Sequence, residues 1–194
     1  FKKLNEVMSK EAFVSDDVGF FIAPKINSAG RMDDASVALS FLLSQNTYQA
    51  NESLQLLEEL NNYRKTLQEE ISQKATAKSS REENAVIVWG EEWHEGVIGI
   101  VASKLSHAFK RPAFIFSVNN GIAKGSARAN ANINLHTIIT KASHLLLGFG
   151  GHKNAAGLSM KEENLEEFKK IIMTATVTLV EFLQILADSI LMKI

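Results

Sequence analysis

The chain has 194 residues and a formal net charge of −1, and 45% of its residues are hydrophobic, which is typical of a globular protein with one domain and part of a second. The near-neutral charge excludes a strongly cationic protein that coats nucleic acid, so any nucleic-acid binding must use a local basic patch. The chain contains no cysteine, which excludes disulfides and thiolate metal sites and favours a reducing cytoplasm.

The N-terminal segment combines a short apolar element with a predicted turn. The apolar element, 18–22, ends before Pro24, which disfavours a helix at the preceding residue. The small and polar residues of 27–31 then predict a loop or turn. A following aspartate, Asp33 or Asp34, is expected to cap the next helix.

The segment 47–80 has an amphipathic helical pattern and contains neither glycine nor proline. Its apolar residues recur at multiples of helical spacing: Leu54, Leu57, Leu67, Ile71 and Ala75. The pattern predicts one long helix, or two with a slight break near 61–62. A continuous helix would be roughly 50 Å long, so we expect it to connect two modules.

From residue 85 onward the pattern alternates between strands and helices. We expect strands at 85–89, 113–118, 122–127 and 155–160, and helices at 97–109, 134–147 and 164–174. The sequence Asn119-Asn120-Gly121 predicts a tight hairpin between the second and third strands. This order predicts an α/β fold, a mixed β-sheet with flanking helices, after the long connecting helix.

Two glycine-rich clusters have the composition of a phosphate-binding site. In the first, Lys124 and Arg128 flank three small residues, and in the second, 148–157, four glycines surround His152. Glycine lets a ligand approach the backbone, and the cations can pair with phosphate oxygens. The alternatives are two ordinary surface cations on an edge strand and a glycine turn that carries an exposed histidine.

Two further residues lie in motifs with an open interpretation. His94 lies between a predicted strand and a predicted helix, where α/β proteins bind ligands and where free N–H groups attract anions. It can equally be an exposed histidine in a capping loop. Arg31 follows Gly30, and its spacing also suits an ion pair with Asp33 or Asp34. The paired carboxylates of the chain suit helix caps better than metal sites.

Taken together, these motifs resemble the RecJ family of single-strand-specific 5′→3′ DNA exonucleases, within the DHH phosphoesterase superfamily. The matching segments are 19–31, 93–103, 125–128 and 149–157. The last resembles the signature of the DHH-associated substrate-binding domain. The resemblance implies that 1–45 end the catalytic domain, 46–82 form the connecting helix, 83–175 form the associated domain, and 176–194 lead into an OB-fold module.

The resemblance also implies a chemistry and a set of site residues. The family hydrolyses phosphodiester bonds with two divalent metals, Mn²⁺ or Mg²⁺, held by Asp and His residues of the DHH domain. The sequence contains no Asp-His-His triplet and starts at Phe1 rather than methionine, so we expect part of a longer protein that lacks the metal ligands and does not cleave by itself. The resemblance implies a substrate-binding role for six residues: Arg128, His152, His94, Arg31, Gly150 and Gly151. The residue pattern adds Lys124 as a seventh.

The expected partner is single-stranded DNA in repair and recombination, with single-strand-binding protein as a partner of modules outside the chain. No apolar run is long enough to span a bilayer, so no membrane partner is expected, and the expected location is the cytoplasm. Two alternatives remain open. One is a small DHH phosphodiesterase for short oligonucleotides or cyclic dinucleotides, and the other is a non-catalytic nucleic-acid-binding module, such as the associated domain of alanyl-tRNA synthetase.

Overall fold

The structure, a computed structural model, describes residues 14–130 and 133–177. The chain divides into two compact units, Phe1–Glu69 and Glu70–Ile194. Of the expected lead-in segment 176–194, all residues after 177 lie outside the described part. None of the helices in the described ranges is long and apolar enough to cross a bilayer.

The first unit is helical. Its elements are α1 (Ser15–Asp17), a π-helical turn (Val18–Ile22), α2 (Ala23–Met32), α3 (Ser36–Leu43) and the first part of α4 (Thr47–Ala77). Its core is formed by one residue of the π-helical turn and by apolar residues of α2, α3 and α4: Ile22, Ala29, Ala38, Phe41, Leu54 and Leu57. These residues lie on the inward faces of the helices, which bury their apolar sides against one another.

The predicted turn at 27–31 is wrong, because these residues lie within α2. Pro24 lies at the start of α2, directly after the π-helical turn, so the helical conformation continues through the position where the proline predicts a break. Neither Asp33 nor Asp34 is the N-cap of α3, which is Ala35 without a side-chain cap. Asp34 lies one residue earlier, and its Oδ1 accepts a hydrogen bond of 2.9 Å from the Ser36 backbone N–H. This bond, with that from the Ser36 hydroxyl, lowers the pKa of the Asp34 carboxyl.

The long helix is continuous. α4 has 31 residues and no break at 61–62, so the single-helix prediction is confirmed. The buried side chain of Asn61 accepts hydrogen bonds from Arg64 Nε and Nη2, and this pairing satisfies the amide oxygen within the helix. α4 is about 46 Å long, and the boundary between the two units falls inside it.

The second unit is a five-stranded mixed sheet with helices, which confirms the predicted fold class. Its elements are β1 (Val86–Glu91), α5 (Glu95–Phe109), β2 (Ala113–Asn119), β3 (Ile122–Arg128), α6 (Leu135–Thr140), a 3₁₀ turn (Ser143–Leu145), β4 (Leu146–Gly151), β5 (Ala155–Lys161), a second 3₁₀ turn (Glu162–Asn164), and α7, described over 165–177. The strand order is β1-β2-β3-β5-β4, with β1 parallel to β2 and the other pairs antiparallel. The predicted hairpin between β2 and β3 is present, with positive φ at Asn120 and Gly121.

The predicted helix 134–147 is wrong in its second half. α6 ends at Thr140, and 146–151 form a fifth strand that pairs with β5. Glycine is a poor helix former, so the three glycines of this segment favour the extended pairing over a helix. The β5 backbone supplies the hydrogen-bond partners that an isolated glycine-rich segment lacks.

The two sides of the sheet are covered differently. On one side, Phe168 of α7 packs edge-on against Phe114 and Phe116, with ring centroids 5.8 and 5.7 Å apart. Residues of α6 and α7 complete this core. On the other side, α5 packs chiefly on β2 and β3. The strands β5 and β4 therefore receive their main helical cover on the α7 side only.

Candidate functional site

The α5 side of the sheet exposes a surface of small residues where the helix stops covering the strands. Strand register places Ser126 beside Gly157 and Gly157 beside Gly150. The next row places Lys124 beside Ser159 and Ser159 beside Gly148. Directly paired residues share a face of the sheet. We call this surface the glycine shelf: Lys124, Ser126, Gly148, Gly150, Gly157 and Ser159.

A cavity of about 520 Å³ lies over the glycine shelf. Glu95 and Ile98 of α5 line it from the helix side, and Phe149 and Leu158 also contribute. A Cβ atom at Gly150 or Gly157 would meet no other atom within 4 Å. The missing side chains therefore leave open space, and the shelf can accept a ligand without any movement of the protein.

At two other motif positions, Gly151 and Gly125, glycine is required by the backbone conformation or by close packing. Gly151 has φ +152°, and a Cβ there would lie 2.3 Å from the Ala155 carbonyl oxygen. A Cβ at Gly125 would lie 2.4 Å from the Phe116 ring on the core side of the sheet. Gly150 lies on the shelf as part of the cavity lining, whereas Gly151 is needed to turn the chain after β4.

Arg128 is the last residue of β3 and is held in place by its own strand. Its Nη1 donates to Ser126 Oγ and to the Ala127 carbonyl oxygen, both at 2.8 Å. A Cβ at Gly99 of α5 would lie 3.1 Å from Arg128 Nη2, so the helix passes close to the guanidinium. The guanidinium thus folds back to the shelf residue Ser126, although Arg128 does not itself line the cavity.

His152 is exposed and lies at the same end of the sheet as Arg128. Its backbone N–H donates to the Ala155 carbonyl oxygen at 2.7 Å, and Ala155 is the strand partner of Arg128. The backbone therefore places Arg128 and His152 on either side of Ala155. His152, like Arg128, lies outside the cavity lining.

Lys124 forms an ion pair that the sequence analysis did not predict. Its Nζ lies 3.0 Å from Glu95 Oε1 and 3.1 Å from Oε2, and both side chains are about half exposed. Glu95 lies in the first turn of α5, next to His94. The sequence motif indicates His94 as a candidate residue but not Glu95. The partner of Glu95, Lys124, lies 29 residues away, and the two meet only because α5 packs on β3.

His94 is the N-cap of α5. Its Nδ1 accepts a hydrogen bond of 3.1 Å from the Gly96 backbone N–H. This satisfies one of the free donors at the helix start, as the capping alternative in the sequence analysis described. His94 is half-buried and outside the cavity lining, so a direct contact with substrate stays a prediction.

Arg31 lies in the first unit, in the last turn of α2, and is exposed. The structure therefore places it on a helix of a separate unit from the glycine shelf. Burial lowers the pKa of the Arg64 guanidinium on α4, and the positive charge of Arg31 lowers it further.

The described residues do not fit a metal centre. Over 14–130 and 133–177, no group of three or more His, Cys, Asp or Glu side chains is placed to bind a metal ion. A two-metal hydrolytic site needs several convergent carboxylates and histidines. What this part of the chain offers is a polar shelf of small residues with Lys124 on it and Arg128 at its end.

The comparison with protein families matches residues 82–177 to the DHHA1 domain. Among curated proteins, the chain is similar to the single-stranded-DNA-specific exonuclease RecJ of Haemophilus influenzae, with 34% identity over 173 residues that cover 83% of this chain and 30% of the relative. The RecJ of Thermus thermophilus is 38% identical over 153 residues, 79% of this chain and 22% of the relative. The chain spans 20% to 32% of the length of the first curated relatives it matches.

Solved structures give the same result. The crystal structure of RecJ from Thermus thermophilus in complex with Mg²⁺ superposes with a TM-score of 0.84 and 34% identity, over 91% of this chain and 28% of that one. The crystal structure of exonuclease RecJ bound to manganese superposes with a TM-score of 0.81 and 35% identity, over 91% of this chain and 44% of that one. The similarity therefore extends beyond the DHHA1 domain to most of the chain.

Proposed function

Since the chain belongs to the RecJ family and carries its DHHA1 domain at residues 82–177, we propose that it is the substrate-binding part of a single-stranded-DNA-specific 5′→3′ exonuclease. The substrate is the phosphodiester backbone of a single strand, and the reaction of the whole protein is its hydrolysis. Segment 1–45 is the end of the catalytic domain, 46–82 connect it to the associated domain at 83–175, and 176–194 lead towards a further module.

The observation that carries the proposal is the glycine shelf with its row of polar side chains on β3. One face of β3 carries every second residue of the strand, here Lys124, Ser126 and Arg128. The small residues of β5 and β4 leave a cavity of about 520 Å³ beside this row. Nucleic-acid backbones are held by arginine, lysine, hydroxyl and backbone N–H groups. Strand β3 offers three of these side-chain types, with Lys124 and Ser126 on the shelf and Arg128 at its end, next to space for sugars and bases.

Arg128 is the principal phosphate contact in this proposal. Its bonds to Ser126 Oγ and the Ala127 carbonyl oxygen fix the direction of the guanidinium before any ligand arrives. A fixed cation loses little freedom on binding and stabilises the charge that develops on a reacting phosphoryl group. His152, on the other side of Ala155, is the second phosphate contact at this end of the sheet.

The other candidate residues have supporting roles. Gly150 forms part of the shelf floor, and Gly151 sets the turn that presents His152. His94 caps the helix whose first turn borders the cavity. Arg31 is an exposed cation of the first unit, and its proposed role rests on the family motif at 19–31.

The metal ions of the reaction, Mn²⁺ or Mg²⁺, are held by residues outside the described part of the chain. Two of the RecJ structures to which the chain is similar contain Mg²⁺ or manganese, and the described residues provide no comparable ligand group. Metals at such a centre activate water and stabilise the transferring phosphoryl group. The role left to this part of the chain is to bind and position the strand.

We further propose a biological setting for the whole protein. It acts in the cytoplasm on DNA that repair or recombination has left unpaired. Single-strand-binding protein covers such DNA and is the expected partner of modules beyond this chain.

Titration of the chain with fluorescein-labelled oligothymidylate at several salt concentrations tests the proposal. The affinity is expected to fall as salt rises, with a logarithmic slope of about −0.7 for each phosphate neutralised. The Arg128→Ala variant is expected to bind about tenfold more weakly or worse, on all base sequences, because a charge-assisted contact to the backbone is lost.

The matched control is Lys170→Ala, which removes an exposed cation from α7 on the opposite side of the sheet. It is expected to leave the affinity unchanged. Equal affinity of the Arg128→Ala variant and the unmodified chain would contradict the proposal.

A further inference from the structure

The positive charge of Lys124, a cation of the glycine shelf, is partly offset by a neighbouring carboxylate. It lies on the cavity lining, and so does its ion-pair partner Glu95. The Lys124 Nζ is 3.0 Å from one Glu95 oxygen and 3.1 Å from the other, so the ammonium group faces both oxygens of the carboxylate. An anion that approaches Lys124 from the shelf therefore also approaches a negative charge.

The position of Glu95 at the helix start suits a negative charge. It lies in the first turn of α5, where the free N–H groups and the helix dipole favour negative charge. Both members of the ion pair are exposed enough to remain hydrated, so a ligand phosphate can compete for Lys124 without a large desolvation cost.

We propose that Glu95 limits the affinity of the glycine shelf for single-stranded nucleic acid by neutralising Lys124 and repelling the backbone phosphate next to it. The inference rests on the proposed function. The strand is then held firmly at the end of the shelf where Arg128 lies and weakly at Lys124.

A charge-neutral substitution and a double variant test this role. In titrations with labelled oligothymidylate, Glu95→Gln is expected to raise the affinity about twofold to fivefold at low salt, the size of an exposed ion-pair effect. The salt slope is expected to become steeper by about 0.7, because one more cation engages a phosphate. In the Lys124→Ala background, Glu95→Gln is expected to leave the slope unchanged, since no cation is released.

The matched control is Glu163→Gln. Glu163 forms an exposed ion pair with Lys161 at 3.3 Å, in the same unit but outside the cavity lining. Both variants remove one negative charge, so they alter the net charge equally. An equal gain in affinity for Glu163→Gln would reduce the effect to net charge and overturn the inference.

The outcomes separate this inference from the proposed function. If the unmodified chain binds the oligonucleotide and Arg128→Ala weakens it, but Glu95→Gln changes neither affinity nor slope, only the role of Glu95 is overturned. If the unmodified chain and Arg128→Ala fail alike to bind, the proposed function is overturned and the role of Glu95 with it. Circular dichroism of each variant confirms that the fold is retained.

Discussion

At the scale of single residues, the glycines of the second unit divide into two kinds. Gly90 and Gly125 lie under aromatic rings, and a Cβ at either would come within 2.4 Å of Trp93 or Phe116 ring atoms. Gly150 and Gly157 face open space instead. The same residue type therefore permits close packing at some positions and leaves an open surface at others, and substitution can tell the two apart.

Gly157→Val is expected to weaken binding of single-stranded DNA by about tenfold, because the added side chain fills the shelf between Ser126 and Gly150. Its effect on stability should be small or favourable, since glycine is a poor strand residue and the new atoms enter open space. Fluorescence anisotropy measures the affinity, and thermal unfolding measures the stability.

The control for this variant is Gly125→Ala on the neighbouring strand. Its Cβ would meet the Phe116 ring, so we expect a loss of about 1–3 kcal/mol in the free energy of unfolding from overpacking. Unweakened binding by a folded Gly157→Val variant would remove the shelf from the substrate path.

Short sequence motifs identify several residues of the proposed site but not Glu95. Lys124, Arg128 and Gly150 stand in short motifs whose composition already suits phosphate binding. The part played by Glu95 could not be predicted, because a glutamate at the start of a helix is common for local reasons. Its significance comes from the position of Lys124, 29 residues away in the chain.

At the scale of elements, two predictions failed where tertiary pairing or position in a helix outweighed local signals. Pro24 predicts a break before α2, but the helix continues through it from the π-helical turn. Leu146 and Leu147 continue an apolar helical pattern and predict the end of a helix, but they begin strand β4. Pairing with β5 decides its conformation, and no local feature of the sequence reports that pairing.

The element that holds the sheet together on the core side is α7. Phe168 is fully buried and contacts the rings of Phe114 and Phe116 edge-on. Phe168→Ala is expected to lower the free energy of unfolding of the second unit by about 3–5 kcal/mol, through lost burial and the cavity left behind. Urea unfolding followed by circular dichroism measures the loss. A change below 1 kcal/mol would contradict this view of the core.

At the scale of the whole molecule, binding and cleavage are expected to separate. The described residues provide the open glycine shelf, which we propose binds phosphates, but no group of three or more potential metal ligands. We therefore expect the purified chain with Mn²⁺ to bind labelled single-stranded DNA and to leave it intact on a denaturing gel. The control is the same assay with DNase I, which shows that the DNA is cleavable. Nucleotide release by the chain, abolished by a chelator, would contradict the expectation.

The amino-acid sequence by itself determined the family, the long helix and four of the five strands, because these depend on local pattern and on short motifs. The tertiary structure decided which residues share the shelf, that β4 is a strand, and that Glu95 faces Lys124. Those features depend on strand register and on where α5 stops covering the sheet. Both are set by contacts between residues far apart in the chain, which local propensity does not encode.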